Sequence, residues 1–495
     1  MDSLDLLAQG FAVALTPEGL FSVFMGVLIG QIVGALPGLG PAAGMALLLP
    51  VTFGMDPNSA VMMLAGILYG GMYGGTITSV LINVPGESSS VMSAVDGHQL
   101  ARRGRAGAAL SVAAIGSFFA GVLGTVALAF AAVGLSAIAL KFNAPEFFLL
   151  AVLGIIATAS LGSGSPTKAL LMGALGLSIG VVGTDPISGA TRLTFGNSYL
   201  VDGFDFLPVA IGLFGIAEVL VSLENVHAEK PITTKLRDMW ISSAEWAQSR
   251  MAIVRGSAIG FVVGLMPGAG ATVAAFLAYV VERRFSRNPD MFGKGAIDGV
   301  AASESANNSS VTGALAPMLA LGIPGSTGTA VLLAALVLQG IRPGPTLMTD
   351  QPVLVWSLIA SMFIGNVVLL IMNVPLAPLF AALLRVPYVL LAPAILVFSL
   401  VGAYAATMSF ATMVVAMAFG VVGYLMIKAD LPRAPLVLAL VLAPLLETSL
   451  RQSLLLSLGS PMIFVERPFA LALLVAVVVF LAMPFVLRRL SRARA

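Results

Sequence analysis

The chain contains no cysteine and only two histidines, His98 and His227. The lack of cysteine excludes disulfides, thiolate metal sites and a cysteine nucleophile, and the scarcity of histidine nearly excludes a histidine-based metal site or catalytic triad. Charge is scarce too, because Asp, Glu, Lys and Arg make up 10% of the 495 residues, against about 25% in a soluble domain. The net charge of +2 leaves no basic surface for nucleic acid.

What the chain has instead is apolar sequence along its whole length. Hydrophobic residues make up 58% of it and form long runs, which indicates that the chain is immersed in a lipid bilayer. A crossing needs about 20 apolar residues, so we predict an all-α polytopic membrane protein with about 11–12 transmembrane helices. The predicted crossings are 57–83, 107–133, 145–160, 168–183, 207–223, 352–384, 388–405, 407–427, 432–447 and 468–488. Residues 1–17 are predicted to form an interfacial segment.

Lysine and arginine are concentrated in a few loops, and cytoplasmic loops are enriched in both. The clusters are Arg102, Arg103 and Arg105; Lys230, Lys235, Arg237, Arg250 and Arg255; Arg283, Arg284, Arg287 and Lys294; and Arg488, Arg489, Arg492 and Arg494. Placing all four inside is self-consistent, because four predicted crossings lie between the first two. The N-terminus is then outside and the C-terminus inside. Residues 256–281 have basic clusters on both flanks, so we predict a re-entrant hairpin that turns at Pro267-Gly268-Ala269-Gly270. The charges leave open how deeply its limbs reach.

The sequence also contains an internal repeat. Residues 26–40 read GVLIGQIVGALPGLG and residues 256–270 read GSAIGFVVGLMPGAG. A second match follows each copy, NVPGESS at 83–89 and GIPGSTG at 322–328. Each copy precedes four predicted crossings, but the two start on opposite sides of the membrane. We therefore predict two inverted-topology repeats, 18–224 and 250–447, joined by a cytoplasmic linker, 225–249, and followed by an extra helix and basic cytoplasmic tail, 448–495. Inverted repeats with broken helices are typical of secondary transporters.

Pro-Gly breaks inside hydrocarbon free backbone groups that lipid cannot satisfy, so they are tolerated where protein buries them or where they line a wet cavity. Carbonyl groups at such breaks are candidates to hold a cation, and the adjoining helix N-termini favour carboxylates. The alternative is that the glycines only permit close helix packing, which is the role we expect for Gly26, Gly30 and Gly34. The cation-site candidates are Pro37, Gly38, Gly40, Pro267, Gly268 and Gly270, together with the hydroxyl of Ser305.

Small hydroxyl residues follow Pro85-Gly86 and Pro324-Gly325. Each of these groups of hydroxyl residues could begin a half-helix whose free N–H groups face a substrate. The alternative for each is an ordinary helix cap at the membrane surface. A polar run at 303–310 supplies amides that bind carboxylates and oxygens that suit Na⁺, unless it is an extension of a cytoplasmic loop. The substrate-site candidates are Asn83, Pro85, Gly86, Ser88, Ser89, Ser90, Asn307, Asn308, Pro324, Gly325, Ser326 and Thr327.

Two further acidic residues lie in or beside apolar segments. Glu218 is an intramembrane candidate, with snorkelling to the interface as its alternative. Glu447 and Arg451 have the i, i+4 spacing of a structural ion pair. Enzyme patterns fail: Gly176-Leu177-Ser178-Ile179-Gly180 fits a nucleophile elbow but lies in an apolar helix without a histidine partner. We predict no catalytic residue and no enzymatic activity.

Several long motifs resemble the large membrane subunit of tripartite tricarboxylate transporters, the TctA family. They are GALPGLGPAAGMALLLPVTFGMDP at 34–57, LYGGMYGGTITSVLINVPGE at 68–87, DGHQLARRGRAGAAL at 96–110, GLMPGAG at 264–270, ASESANNSS at 302–310, LGIPGSTGTAVLLAAL at 321–336 and ETSLRQSL at 447–454. The resemblance covers nearly the whole chain. One departure is His98-Gln99, where the family more often has an aromatic residue and Pro.

This resemblance implies a bacterial inner-membrane permease, in which the orientation predicted from the charges makes the N-terminus periplasmic and the C-terminus cytoplasmic. Its implied partners are a small TctB-like membrane subunit of about four helices and a TctC-like periplasmic solute-binding protein. Transport is expected to be driven by a Na⁺ or H⁺ gradient without a cofactor, and the substrates to be citrate-like di- or tricarboxylates. A passive channel for small organic anions is the alternative, because Gly-rich broken helices also build filters.

Overall fold

The computed structural model describes residues 3–36, 40–161, 165–185, 188–224, 232, 236–376, 379 and 388–492. Nearly all of this part of the chain is helical. Seven of the described helices are long and apolar enough to cross a membrane, and several shorter apolar helices accompany them. The all-α polytopic fold class is therefore confirmed. The inverted relation of the repeats and the re-entrant hairpins stay predictions.

The first half of the chain contains ten described helices. They are α1 (Ser3–Ala14), α2 (Pro17–Ala35), α3 (Pro41–Leu48), α4 (Pro57–Ile82), α5 (Val91–Leu100), α6 (Ala106–Ala139), α7 (Ala144–Leu161), α8 (Pro166–Gly180), α9 (Phe206–Ala210) and α10 (Ala217–Glu224). A π-helical segment, Ile211–Ile216, joins α9 to α10 into one span. A short antiparallel hairpin of β1 (Gly183–Thr184) and β2 (Thr191–Arg192) precedes that span.

The second half begins after the predicted linker, most of which lies outside the described residues. Its helices are α11 (Ser243–Gly264), α12 (Gly270–Phe285), α13 (Ile297–Leu321), α14 (Thr327–Leu338), α15 (Leu347–Asp350), α16 (Pro352–Asn373), α17 (Tyr388–Thr407), α18 (Phe410–Lys428), α19 (Arg433–Leu456), α20 (Ile463–Glu466) and α21 (Pro468–Arg492). Most predicted crossings match one helix within a few residues. The helix that starts near 352 ends at Asn373, well before 384, and α19 continues to Leu456 beyond the predicted end at 447.

The extension of α19 has a local cause. No Gly or Pro follows Pro444 until Gly459, and Glu447 forms the predicted i, i+4 ion pair with Arg451 at 2.7 Å. Arg451 also contacts Asp185 at 2.8 Å, and Arg192 of β2 contacts Glu447 at 2.6 Å. This four-residue network fastens the loop between α8 and α9 to the end of α19.

Helix α1 packs on protein rather than lying only on a membrane surface. Its Gly10 meets the backbone of Trp356 in α16 so closely that a Cβ atom would overlap it. The ring of Phe11 stacks on Phe363, with 6.0 Å between the ring centroids. The amphipathic pattern of residues 3–15 therefore reflects helix packing as well as exposure to the interface.

Both halves use the same glycine-based packing of a broken helix along a long helix. In the first half, a Cβ on Gly26, Gly30 or Gly34 of α2 would overlap the backbone of Met63, Ile67 or Gly71 of α4. In the second half, Gly256, Gly260 and Gly264 of α11 meet Ala302, Ala306 and Ser310 of α13 in the same way. These contacts align α4 with α13 without a gap. Met63 corresponds to Ala302, Ile67 to Ala306 and Gly71 to Ser310. The helix-packing role expected for Gly26, Gly30 and Gly34 is confirmed.

Three of the loops that carry basic residues lie together at one end of the fold. Arg105 forms an ion pair with Glu245 at 2.5 Å. Asp96 of α5 accepts hydrogen bonds from the backbone N–H groups of Gly295 and Ala296, at 2.7 and 2.9 Å. The topology predicted from the charges puts these loops on the same side of the membrane. The contacts agree, because they join the loop after α5 to the segments before α11 and before α13.

Candidate functional site

The first Pro-Gly loop follows the end of α4. Asn83 ends that helix in the left-handed conformation, with φ of 56°. Pro85 and Gly86 come next, and Gly86 lies against Gly75 of α4, so that a Cβ would be 2.5 Å from the Gly75 Cα. Glu87 and Ser90 then form a capping box at the turn that begins α5. The loop is held by backbone contacts that only glycine permits.

The second Pro-Gly loop repeats this arrangement after α13. Gly322 ends the helix with φ of 72°. A Cβ on Gly325 would be 2.9 Å from the Cα of Ala314, the residue equivalent to Gly75. Ser326 and Thr329 form the capping box that begins α14. The two loops therefore have the same structure: a left-handed residue ends the helix, a glycine packs on it, and a capping box begins the next helix. In this alignment Glu87 is equivalent to Ser326.

The two halves meet at these loops. The Ser88 hydroxyl lies 2.9 Å from the hydroxyl of Thr272 in α12. The N–H of Gly268, at the break between α11 and α12, donates to the carbonyl of Gly325 at 3.0 Å. In return, Gly328 of α14 packs against Leu68 of α4. The first Pro-Gly loop thus contacts α12 of the opposite half. The second contacts the break between α11 and α12 in its own half.

A cavity of about 510 Å³ opens where the loops and broken helices converge. Its described lining includes the substrate-site candidates Pro85, Gly86, Ser88, Ser89, Pro324, Gly325, Ser326 and Thr327, and the cation-site candidates Gly40, Gly268 and Gly270. Asn83, Ser90, Pro267, Ser305, Asn307 and Asn308 are outside that lining. Pro37 and Gly38 lie outside the described residues. The fold therefore brings most of the described candidates together, and their roles stay predictions.

The cavity also contains an ion pair that the sequence reasoning did not foresee as a unit. Arg433, at the start of α19, donates from Nη1 to Glu218 of α10 at 2.8 Å and to the carbonyl of Leu213 at 2.8 Å. Its guanidinium lies 5.4 Å from the centre of the Phe214 ring. The arginine and glutamate side chains are 22% and 16% exposed, and both residues line the cavity. Glu218 therefore faces a basic partner in the cavity wall.

The polar run at 303–310 is part of α13 and is completely buried, so its interpretation as an extended loop is wrong. Two of its polar side chains find partners on neighbouring helices. The Asn308 amide donates to the Ser117 hydroxyl at 2.7 Å, and Ser309 donates to the carbonyl of Ser257 at 2.8 Å. Ser310 lines the cavity, whereas Asn307 and Ser305 have buried polar atoms with no hydrogen-bond partner.

These features describe a polytopic membrane protein with a cavity at broken helices, whose lining adds hydroxyls and an ion pair to apolar side chains, as solute transporters often have. A profile described as the tripartite tricarboxylate transporter TctA family matches residues 20–438. The chain belongs to this family, which is the large subunit of tripartite tricarboxylate transporters.

Two relatives from Agrobacterium vitis are similar to the chain. One is named "Uncharacterized 52.8 kDa protein in TAR-I ttuC' 3'region" and is 44% identical over 474 residues, 96% of this chain and 94% of the relative. The other, named "Uncharacterized protein in TAR-II ttuC' 3'region", is 43% identical over 215 residues, 43% of this chain and 89% of the relative. No solved structure matches the chain.

Proposed function

We propose that this chain is the permease subunit of a tripartite, binding-protein-dependent importer that uses a cation gradient to take up citrate-like di- or tricarboxylates. Membership of the family supports the transport function. The observation that carries the proposal is the cavity, whose volume of about 510 Å³ suits a small organic molecule. Among the described residues, its wall combines the guanidinium of Arg433 with hydroxyls and helix N-termini, which recognise carboxylates, and with the carboxyl groups of Glu87 and Glu218.

Arg433 provides the positive charge for that recognition. Both of its described hydrogen bonds leave from Nη1, so Nε and Nη2 stay free to donate to a carboxylate in the cavity. Planar guanidinium groups bind carboxylates through two parallel hydrogen bonds. Glu218 competes for the same guanidinium, and the substrate carboxylate displaces or joins it when the cavity fills.

The hydroxyls of the Pro-Gly loops complete the recognition. Ser88 and Ser89 belong to the first loop, and Ser326 and Thr327 to the second. The 12-residue helix α14 begins at Thr327, so its first N–H groups and the positive end of its dipole favour an anion at this position. Carboxylates at opposite ends of one substrate would thus contact opposite halves of the protein.

The assembly belongs to the same proposal. We place the chain in a bacterial inner membrane, with a TctB-like small subunit beside it and a TctC-like periplasmic protein delivering the substrate. Co-expression tests this directly: cells with all three proteins accumulate radiolabelled citrate or another dicarboxylate or tricarboxylate, and cells without the periplasmic protein do not. Equal uptake in both cells would contradict dependence on a binding protein.

A passive channel is the alternative that the broken helices allow. The two functions differ in the direction of net movement under an opposing substrate gradient. A coupled transporter accumulates its substrate, and ionophores that abolish the cation gradient stop this accumulation. A channel only equalises concentrations, whatever the cation gradient.

A further inference from the structure

We propose that Glu304, Glu87 and Asn307 form a binding site for a small hard cation directly behind the substrate cavity. The proposal rests on cation coupling in the proposed function and adds the residues that bind the ion. The two carboxylates come from different halves of the chain, Glu304 from α13 and Glu87 from the first Pro-Gly loop. Their carboxylates accept hydrogen bonds from two serines four residues apart, Glu87 from Ser89 and Glu304 from Ser93.

Neither carboxylate has a positive partner. Among the described residues, no Lys, Arg or His forms an ion pair with Glu304 or Glu87. Glu304 is completely buried, and it accepts a hydrogen bond from Ser93 through Oε1 only, while its Oε2 has no partner. A buried carboxylate without a counter-charge is strongly unfavourable unless it takes up a proton or a cation, and the unpartnered oxygens around Glu304 favour a bound cation.

Two further buried side chains near these carboxylates have polar atoms without a hydrogen bond of good geometry. Asn307 is 0% exposed and lies three residues after Glu304 on α13. Thr76 of α4 is likewise 0% exposed and follows Gly75, against which the Glu87 side chain packs. Carboxylate, amide and hydroxyl oxygens together make the ligand set that hard cations prefer.

The other half of the protein shows that the fold does not require these groups. In the register set by the glycine contacts, Glu304 corresponds to Ala65, Asn307 to Leu68 and Thr76 to Leu315. The same helix packing is thus built with apolar side chains at the equivalent places. The polar side chains of the cluster are therefore not needed for this packing, and function is the reason to keep groups that cost stability.

The position of Glu87 connects the ion to the substrate. Glu87 lines the cavity and Glu304 lies outside its described lining, and Ser89 and Ser93 donate to the two carboxylates in turn. A bound cation draws the two carboxylates together and lowers the negative charge that a carboxylate substrate meets in the cavity. Ion binding therefore favours substrate binding, and the reverse follows because the coupling free energy is reciprocal.

Direct binding of ²²Na⁺ to the purified chain, without substrate, tests the site. The wild type binds Na⁺ saturably, and Glu304→Gln and Asn307→Ala weaken this binding at least about tenfold, as loss of a supporting group does in metal sites. Thr76→Val, which keeps the side-chain shape, weakens it several-fold and serves if the other variants misfold. The matched control is Glu146→Gln, because Glu146 is also completely buried but forms an ion pair with Arg467 at 2.6 Å; it binds Na⁺ like the wild type.

Absence of saturable Na⁺ binding by the wild type would overturn the proposal, as would wild-type binding by folded Glu304→Gln protein. The measurement is separable from transport. A chain that binds Na⁺ through Glu304 but takes up no carboxylate would keep the cation site and reject the proposed function.

Discussion

Replacing Arg433 by glutamine tests the assignment of the substrate anchor. The guanidinium donates at 2.8 Å to Glu218 and to the Leu213 carbonyl, and in the proposed complex it donates to the substrate as well. A hydrogen bond to a charged group contributes about 1.5–3 kcal/mol, and each 1.4 kcal/mol is about tenfold in affinity. Arg433→Gln is therefore expected to raise the KM for uptake about 10- to 150-fold.

The partner substitution gives the opposite expectation. Glu218→Gln keeps a hydrogen-bond acceptor beside Arg433 but removes the competing charge, so KM stays the same or falls. If the pair only stabilised the fold, both substitutions would lower the amount of inserted protein alike and leave KM unchanged.

The assay is initial-rate uptake of radiolabelled substrate over a range of concentrations, normalised to the amount of the chain in the membrane. Arg255→Gln is the matched control, because Arg255 forms a similar ion pair with Glu282, at 2.6 Å, outside the described cavity lining. Its KM is expected to equal that of the wild type. Normally inserted Arg433→Gln protein with wild-type KM would refute the anchor role.

Three further predictions concern a contact between the halves, the packing of α11 on α13, and the orientation of the chain. Cysteines at Ser88 and Thr272, whose hydroxyls are 2.9 Å apart, are expected to form a disulfide in this cysteine-free chain and to stop uptake until a reductant is added; uptake unaffected by complete cross-linking would contradict movement at this contact. Gly264→Ala places a Cβ on the backbone of Ser310 and should greatly reduce the amount of folded protein in the membrane, whereas Gly54→Ala, which meets nothing within 4 Å, should not. A single cysteine at Asp290 should be labelled only from the cytoplasmic side, and labelling from outside would refute the predicted orientation.

The sequence predicted the parts of the fold that local patterns encode. Gly26, Gly30 and Gly34 recur at helical spacing, and small residues at that spacing are understandable as a packing face without knowledge of the partner helix. The Pro-Gly loops were also predictable, because a proline followed by glycine must end a helix. Their convergence on one cavity followed from the repeat, since equivalent loops in two matched halves tend to meet at the common interface.

The rest depends on contacts between residues distant in the chain. Arg433 is a single charge at the start of an apolar helix, and only the position of α10 shows that it faces Glu218 and a cavity. The sequence left a cytoplasmic loop open as the alternative for the run around Asn307, because its polarity is unusual for a buried helix and its partners lie on helices far away in sequence. The contrast between Glu304 and Ala65 became visible only when the glycine contacts fixed the register. The two repeats differ in length between their two matching motifs, because α3 has 8 residues and α12 has 16. Sequence matching at the first motif therefore does not show which residues of α4 and α13 are equivalent.

The central claim is that this cavity carries carboxylates through the membrane at the expense of a cation gradient. The most direct measurement is substrate accumulation in proteoliposomes that contain the chain and its small subunit, with the binding protein outside and an imposed inward Na⁺ gradient. The account predicts accumulation above the outside concentration, lost when the gradient is collapsed and strongly reduced in Arg433→Gln and Glu304→Gln. Equilibration to equal concentrations with or without the gradient, unchanged in both variants, would contradict it.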